Sequence, residues 1–156
     1  MATKSNDLRK YLISKAESLC AGKEFCEYDI LQKLTAWKAS SDDVEAVLEH
    51  LRQHDFVNNA RYAESFCRGK FHQLKWGRSK ITYQLRMKRI DPATIDDAML
   101  CISEEEYLAT ATAVAAQKWK TIHEDDRFLR ESKLSTYMQS KGYETYAIRH
   151  ALSQLN

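Results

Sequence analysis

Hydrophobic side chains recur along this chain in three copies of one spacing. In each copy, an apolar pair four residues apart is followed, after a break, by apolar residues at positions i, i+3, i+4 and i+7. This spacing places the residues on one face of a short helix and then on one face of another. The copies lie 51 and 53 residues apart, and every one of these positions is apolar. They are Ile30, Leu34, Val44, Val47, Leu48 and Leu51; Ile81, Leu85, Ile95, Ala98, Met99 and Ile102; and Leu134, Met138, Ile148, Ala151, Leu152 and Leu155.

Polar residues mark the point where the second short helix of each copy begins. Ser40, Asp91 and Glu144 occupy equivalent positions before it. Asp91 is a good N-cap residue, and Pro92 suits the first position of the helix that follows. A longer helical pattern precedes each short pair, so the repeating unit is predicted to contain three helices. The longer helices are predicted over approximately 6–21, 59–74 and 104–120.

We therefore predict an all-α fold of three tandem three-helix repeats that form an elongated, curved array. Stacking is expected because a short helix buries its single apolar face only by packing on its neighbours. The presence of one proline and four glycines in 156 residues agrees with long helical stretches. The predicted repeats are 1–57, 58–102 and 103–156, and an asparagine of the pair Asn58-Asn59 is expected to cap the first helix of the second repeat.

The cysteines indicate neither a disulfide framework nor a structural zinc site. Cys20, Cys26, Cys67 and Cys101 form no CxxC pair, and no apolar signal segment precedes them. No window approaches the roughly 20 apolar residues that span a bilayer. We expect reduced thiols in a cytoplasmic protein that has no contact with a membrane.

The sequence has no motif that supports catalysis. The glycines are isolated, which excludes a glycine-rich phosphate loop. His50 and His54 have the spacing of zinc-protease ligands, but Leu51 stands where the catalytic glutamate would be, so surface histidines are favoured. Acidic clusters are interpreted as residues in or near the first turn of a predicted helix, where they offset the helix dipole. They are Asp42-Asp43, Asp96-Asp97, Glu104-Glu105-Glu106 and Asp125-Asp126. We predict no enzyme, no metal and no cofactor.

Positive charge is concentrated in the middle of the chain. Residues 57–102 carry nine basic and four acidic side chains, a net charge of +5, whereas the whole chain carries +2. A helix over 60–74 would place basic and polar residues on the half opposite its apolar face, and the next helix would carry a polar stripe. The first set is Arg61, Ser65, Arg68, His72 and Lys75, and the second is Ser79, Thr82, Arg86 and Arg89.

These two basic faces have two interpretations. Because acidic residues are nearly missing between Arg61 and Arg89, the faces are interpreted as a surface for phosphate or for an acidic protein groove. The alternative is a solvated face that keeps the protein soluble. Trp76, in the loop between the two helices, either stacks on a base or a partner groove or closes the core of its own repeat.

The stretch Phe56–Phe66, followed by Gly77–Ile81 and by Gln84-Leu85-Arg86, resembles the central region of the RecX family of RecA regulators. Where that family usually has an acidic pair, this sequence has Asn58-Asn59, and both residue types can cap a helix. The resemblance implies three tandem three-helix units that bind along the groove of the RecA filament. It further implies restraint of ATP hydrolysis, strand exchange and LexA cleavage, with no reaction catalysed by the regulator.

The resemblance also assigns roles to residues of the middle repeat. The implied contact surface is Arg61, Arg68, Arg78, Lys80, Arg86 and Arg89, with Lys70, Lys75, Trp76 and Lys88 beside them. The implied core beneath it is Phe56, Tyr62, Phe66, Ile81 and Leu85. The RecA filament is the expected partner, and direct contact with single-stranded DNA is a further expectation. The chain is expected to be a monomer. Two alternatives stay open, namely a stand-alone nucleic-acid-binding module and a helical scaffold with no nucleoprotein partner.

Overall fold

The computed structural model describes residues 2–155, which form nine α-helices and no strand. The helices fall into three groups of three, as the repeated spacing predicts. The first group is α1 Ala2–Gly22, α2 Glu27–Ala36 and α3 Ser41–Gln53. The second is α4 Asn59–Leu74, α5 Arg78–Met87 and α6 Pro92–Met99, and the third is α7 Glu104–Trp119, α8 Arg127–Ser140 and α9 Thr145–Ser153. The all-α prediction with three-helix repeats is therefore confirmed.

The apolar positions of the three copies form the core. Thirteen of the eighteen are buried and the other five are half-buried. Ser40, Asp91 and Glu144 are the N-caps of α3, α6 and α9. The side chains of Ser40 and Asp91 accept backbone N–H groups three residues on, at 3.2 Å and 2.8 Å. The Glu144 carboxylate makes no such bond, because it accepts a hydrogen bond from the Tyr107 hydroxyl.

The two adjacent asparagines at the start of α4 cap two different helices. Asn58 Oδ1 accepts the backbone N–H of Arg61 at 3.0 Å, which satisfies a donor in the first turn of α4. Asn59 Oδ1 accepts the backbone N–H of Glu27 at 3.0 Å, at the first residue of α2. The predicted asparagine cap of α4 is present, and the second cap joins α4 to the beginning of α2.

The chain divides into two compact units. The first comprises Met1–Tyr62 with Lys88–Ile90, and the second comprises Ala63–Met87 with Asp91–Asn156. In the first unit, α3 packs against α1 and α2 around a buried apolar cluster. That cluster is Leu12, Ala16, Phe25, Ile30, Leu34, Val47, Leu51 and Val57. The buried carboxylate of Asp43 lies at the edge of this unit and accepts a charged hydrogen bond of 2.9 Å from Arg9 Nε.

In the second unit, α7 packs against α8 and α9, and aromatic rings join the second and third repeats. Tyr107 is completely buried, with its ring centroid 6.0 Å from that of Phe71 and 5.5 Å from that of Tyr143. The Tyr143 hydroxyl donates a 2.8 Å hydrogen bond to the carbonyl of Lys75. These contacts position the loop between α4 and α5, where several predicted contact residues lie.

Some sequence-based expectations differ from the structure. Phe56, Tyr62 and Phe66, expected in the core beneath the contact surface, are only half-buried. Asp96-Asp97 lies in the second turn of α6, whose first turn contains no acidic residue. Arg89 lies beyond the end of α5 with φ +56°, so the polar stripe of that helix ends at Arg86. Within residues 2–155, no helix combines the length and apolar character that crossing a membrane requires.

Candidate binding surface

The ten predicted contact residues are divided between the two compact units. Arg61, Lys88 and Arg89 belong to the first unit. The other seven belong to the second and are Arg68, Lys70, Lys75, Trp76, Arg78, Lys80 and Arg86.

Arg61 in the first unit is held by a set of acceptors that leaves it little freedom. Its guanidinium pairs with Glu24 Oε1 at 2.7 Å and with Asp55 Oδ2 at 3.1 Å, and it donates to the Asp55 carbonyl at 3.1 Å. The hydrogen bond with Glu24 raises the pKa of Arg61 above its ordinary value. Arg61 therefore mainly joins Glu24 to Asp55 within the first unit.

Lys88 and Arg89 in the first unit are also engaged with neighbours. Lys88 Nζ lies 2.5 Å from Asp29 Oδ1, and this hydrogen bond raises the lysine pKa. The Arg89 guanidinium carbon lies 4.8 Å from the centroid of the Tyr28 ring, a cation–π distance. Because Arg89 remains exposed, its guanidinium can still reach a partner, whereas Lys88 is neutralised by its carboxylate.

Arg78 is a structural residue of the second unit. Its guanidinium lies 4.0 Å from the Tyr107 ring centroid, pairs with Glu104 at 2.8 Å and donates to the Tyr146 hydroxyl at 3.0 Å. Hydrogen bonds from Arg78 and Tyr146 lower the pKa of Glu104 below its ordinary value. The backbone N–H of Arg78 donates to the Tyr107 hydroxyl at 3.0 Å. These contacts connect the second repeat to the third.

Trp76 lies among cations. Lys80 Nζ is 4.3 Å from its ring centroid and Lys70 Nζ is 5.0 Å away, while the Phe66 ring meets it edge-on at 6.3 Å. Trp76 is half-buried, so it neither closes the core completely nor projects freely. The cluster of Trp76 with its two lysines presents positive charge and part of an aromatic face to solvent.

Among the predicted contact residues of the second unit, Arg68, Arg86 and Lys75 are exposed. Arg68 pairs only with Glu64, four residues earlier on the same helix, at 2.8 Å. Such an exposed pair contributes little free energy and exchanges readily for another partner. The Arg86 side chain forms no hydrogen bond or ion pair with any residue in 2–155, and it lines a cleft of about 380 Å³ whose other lining residues include Thr82, Tyr83 and Glu144.

Comparison with known proteins shows the family to which the chain belongs. Residues 58–99 match the family model described as RecX, second three-helix domain, and residues 104–152 match RecX, third three-helix domain. A protein named regulatory protein RecX from Clostridium acetobutylicum is 32% identical over 151 residues, covering 93% of this chain and 70% of that protein. The chain belongs to the RecX family.

Other members of the RecX family are more distant in sequence. Regulatory protein RecX of Chlorobium phaeobacteroides is 26% identical over 137 residues, which is 88% of each protein. The chain spans 60% of the length of the RecX protein of Clostridium tetani. It also resembles the fold of a crystal structure of RecX from Lactobacillus salivarius, with a TM-score of 0.88 over 96% of this chain and 97% of that one at 19% identity.

A second solved structure, a crystal structure of regulatory protein RecX, has a TM-score of 0.91 over 98% of this chain and 77% of that one at 23% identity. Both likenesses concern the fold. The relatives are named regulatory proteins, and this chain is therefore assigned to a family of regulators.

Acidic residues are nearly missing beside the basic residues in the sequence of this RecX chain, but the structure gives several of these residues acidic partners. Arg61, Arg78 and Lys88 each pair with a carboxylate from another helix or loop. These partners lie 26 to 59 residues away along the chain, so local sequence could not reveal them. The surface that stays open to a partner is consequently smaller than the sequence indicates.

The remaining candidate groups have ordinary structural environments. His50 Nε2 lies 2.6 Å from Glu17 Oε1, and its ring stacks on His54 with centroids 4.3 Å apart. All four cysteines are free thiols, and Cys67 Sγ lies 3.6 Å from Cys101 Sγ in the second unit, a proximity that sequence reasoning missed. In the described part of the chain, no group of three or more metal-ligating side chains comes together.

Proposed function

We propose that this RecX-family chain modulates the RecA recombinase as an inhibitor that binds the groove of the RecA–DNA filament. In this proposal it restrains ATP hydrolysis, strand exchange and coprotease activity by occupying the groove, and it catalyses no reaction itself. Family membership and the regulatory names of its relatives support the proposal. Such a partner would place the chain in the cytoplasm, where it acts as a monomer of three repeats with boundaries at 57/58 and 102/103.

The observation that carries the proposal is the set of exposed cations on the middle repeat. Arg86 has no carboxylate partner within residues 2–155, and Arg68 has only a weak intrahelical one. Arginine on such a surface can contact phosphate or carboxylate groups in bidentate geometry. The proposed contact residues are Arg89 in the first unit and Arg68, Lys70, Lys75, Trp76, Lys80 and Arg86 in the second. Arg61 and Lys88 in the first unit, and Arg78 in the second, are each proposed to have a supporting role within their own unit, because their charges are already paired.

RecA ATP hydrolysis on single-stranded DNA tests the proposal. We expect the wild-type chain to suppress turnover at substoichiometric amounts. The triple variant Arg68→Glu, Arg86→Glu, Arg89→Glu should lose this effect, because it reverses exposed charges and leaves the paired Arg61 and Arg78 intact. A matched control is Lys4→Glu, Lys10→Glu, Lys33→Glu, which changes net charge equally at exposed positions of α1 and α2 and should inhibit like the wild type. If the wild type has no effect on RecA turnover while helicity is native, RecA is not the partner.

A second candidate function is a stand-alone nucleic-acid-binding module, which the cluster of Trp76, Lys70 and Lys80 favours. Aromatic rings beside cations are the elements with which proteins hold single strands. A salt titration of binding to bare single-stranded DNA separates the two functions. Tight binding with a steep salt dependence supports the module, whereas weak binding to bare DNA with strong binding to RecA-coated DNA supports the filament regulator.

A further inference from the structure

Three lysines of the second unit converge on one open cleft. Lys75, Lys118 and Lys141 line a cavity of about 290 Å³ together with Tyr137 and Thr121. Lys118 Nζ lies 4.6 Å from the Tyr137 ring centroid and Lys141 Nζ lies 5.8 Å from it, so both ammonium groups are held near one ring. Three separate helices, α4, α7 and α8, supply the cations at or just beyond their C-terminal ends. Only Lys75 is among the contact residues predicted from sequence.

The positive charge of this cleft is not balanced by carboxylates. Within residues 2–155, none of the three lysines forms an ion pair with Asp or Glu. An adjoining cavity along α7 is lined by one acidic residue, Glu106, whose Oε1 lies 3.6 Å from His72 Nδ1. Like charges that share a cleft repel one another, and a bound anion would relieve this repulsion.

Helix dipoles account for only part of this lysine arrangement. A helix C-terminus carries about half a negative charge, so three ends offset about 1.5 of the three positive charges. The carbonyl groups at these ends also have other donors. The Lys75 carbonyl accepts from the Tyr143 hydroxyl, the Lys141 carbonyl from the Gly77 N–H and the Lys118 carbonyl from the Thr121 hydroxyl. Charge therefore remains available for a ligand.

The chemistry of the donors favours phosphate over carboxylate. Lysine ammonium groups act as point charges with three freely rotating donors, which suits a tetrahedral oxyanion approached from several sides. A planar carboxylate is better matched by the fork of an arginine, and no arginine lines this cleft. The tyrosine ring adds an apolar wall beside the charges.

The cleft continues along α7, which favours a chain-like ligand. An adjoining cavity of about 290 Å³ shares Lys75, Val114 and Gln117 with it. The rest of its lining is Glu106, Ala109, Thr110 and Ala113. Small side chains on this wall leave room for a backbone to approach. A free anion would need only the lysine end, whereas a polymer of phosphates could occupy the cleft and its continuation.

We propose that the cleft formed by Lys75, Lys118 and Lys141 binds the phosphodiester backbone of a nucleic acid strand. This site lies outside the predicted basic faces except for Lys75, and it requires no RecA. Its test is therefore independent of the filament-regulator proposal, and either can fail while the other stands.

Fluorescence anisotropy of a labelled single-stranded oligonucleotide, titrated with the intact chain at several salt concentrations, tests the site. The variant Lys118→Gln, Lys141→Gln should bind about tenfold more weakly at low salt and reduce the slope of log K against log salt by about 1.4, since each phosphate contact contributes about 0.7. The matched control Lys10→Gln, Lys33→Gln removes the same charge from exposed positions of α1 and α2 and should keep the wild-type slope. Equal slopes for wild type and both variants would overturn the proposal.

Amide chemical shifts of Gln117 and Thr121 distinguish the sources of the anion. We expect the oligonucleotide to move both resonances in the wild type and not in Lys118→Gln, Lys141→Gln, with inorganic phosphate competing only at much higher concentration. If inorganic phosphate saturates the site and the oligonucleotide does not move these resonances, the ligand is a free phosphate and the nucleic-acid assignment is wrong. If polyglutamate displaces the oligonucleotide at equal charge concentration, the cleft does not select phosphate and the proposal fails.

Discussion

The backbones of Gly77 and Gly142 are in direct contact. A Cβ atom added to Gly77 would lie 2.3 Å from the carbonyl carbon and oxygen of Gly142. The N–H of Gly77 donates a 2.7 Å hydrogen bond to the carbonyl of Lys141. Gly142, at φ +100°, follows the end of α8 in a conformation that favours glycine. The loop before α5 and the loop after α8 can therefore meet only because both residues lack a side chain.

We expect Gly77→Ala to lower the free energy of unfolding by about 3 kcal/mol, because the new methyl group meets backbone atoms that cannot move aside. Gly69→Ala is the matched control. Gly69 lies inside α4, and no atom lies within 4 Å of the position that an added methyl group would take, so that change should raise stability by about 0.5–1 kcal/mol through helix propensity. Urea unfolding of both variants measures these changes, and equal stabilities would show that the two loops can separate at no cost.

Tyr107→Phe should destabilise the chain by about 1–3 kcal/mol, because it removes a buried hydroxyl with two partners. The Tyr107 hydroxyl accepts from the Arg78 N–H and donates to the Glu144 carboxylate, each at 3.0 Å. Thermal unfolding is the measurement. Tyr83→Phe, at a side chain that is 60% exposed, should leave the melting temperature unchanged. A melting temperature for Tyr107→Phe equal to that of the control would contradict the role of this hydroxyl in joining the second and third repeats.

The Glu104 carboxyl should titrate below its ordinary value of 4.5, because Arg78 and Tyr146 donate hydrogen bonds to its charged form. Because the native pKa is lowered, this contact stabilises the fold fully at pH values above 4.5. The stabilisation is lost as the pH falls through the native pKa. In Arg78→Gln, the Glu104 pKa should return toward 4.5 in an NMR titration. Asp91, whose pKa is lowered by its own hydrogen bond with Thr94, is the internal control and should not change.

Cys67 and Cys26 should resist alkylation by iodoacetamide in the native protein at about pH 8, because the thiolate is the reactive species. Burial raises the pKa of Cys67 to about 12 and that of Cys26 to about 11. Mass spectrometry of each cysteine-containing peptide measures the rate at each site, and the same reaction in urea provides the reference at which all four thiols are accessible. Native modification of Cys67 at the rate seen in urea would indicate that α4 opens readily from its unit.

The fold was largely accessible from sequence because its determinants are local. Apolar spacing decides which helix face is buried, and Ser40, Asp91 and Asn58 cap helices through atoms only three residues away. The side-chain contact of Glu144, in contrast, cannot be predicted from neighbouring residues. It begins α9 at the predicted position, but its carboxylate interacts with Tyr107, which lies 37 residues earlier in the chain.

The candidate surface was less accessible from sequence because ion pairing depends on distant contacts. Helical periodicity places Arg68 and Arg86 correctly on exposed faces. It cannot show that Arg78 is half-buried and contacts Tyr107 and Glu104, whose positions are set by the third repeat. The sequence does not predict that Lys118 and Lys141 lie near Lys75, because only the packing of α4, α7 and α8 brings these lysines together.

The cap that Asn59 provides to Glu27 limits how far the repeats are modular. A truncated chain that ended at residue 57 would retain the first three helices but lose the amide oxygen that accepts the first N–H of α2, a loss of about 1 kcal/mol. The first repeat therefore borrows part of its stability from the beginning of the second. If the first repeat is moved or duplicated as a separate segment, it keeps its full stability only when the segment includes the first residues of the second repeat, up to Asn59.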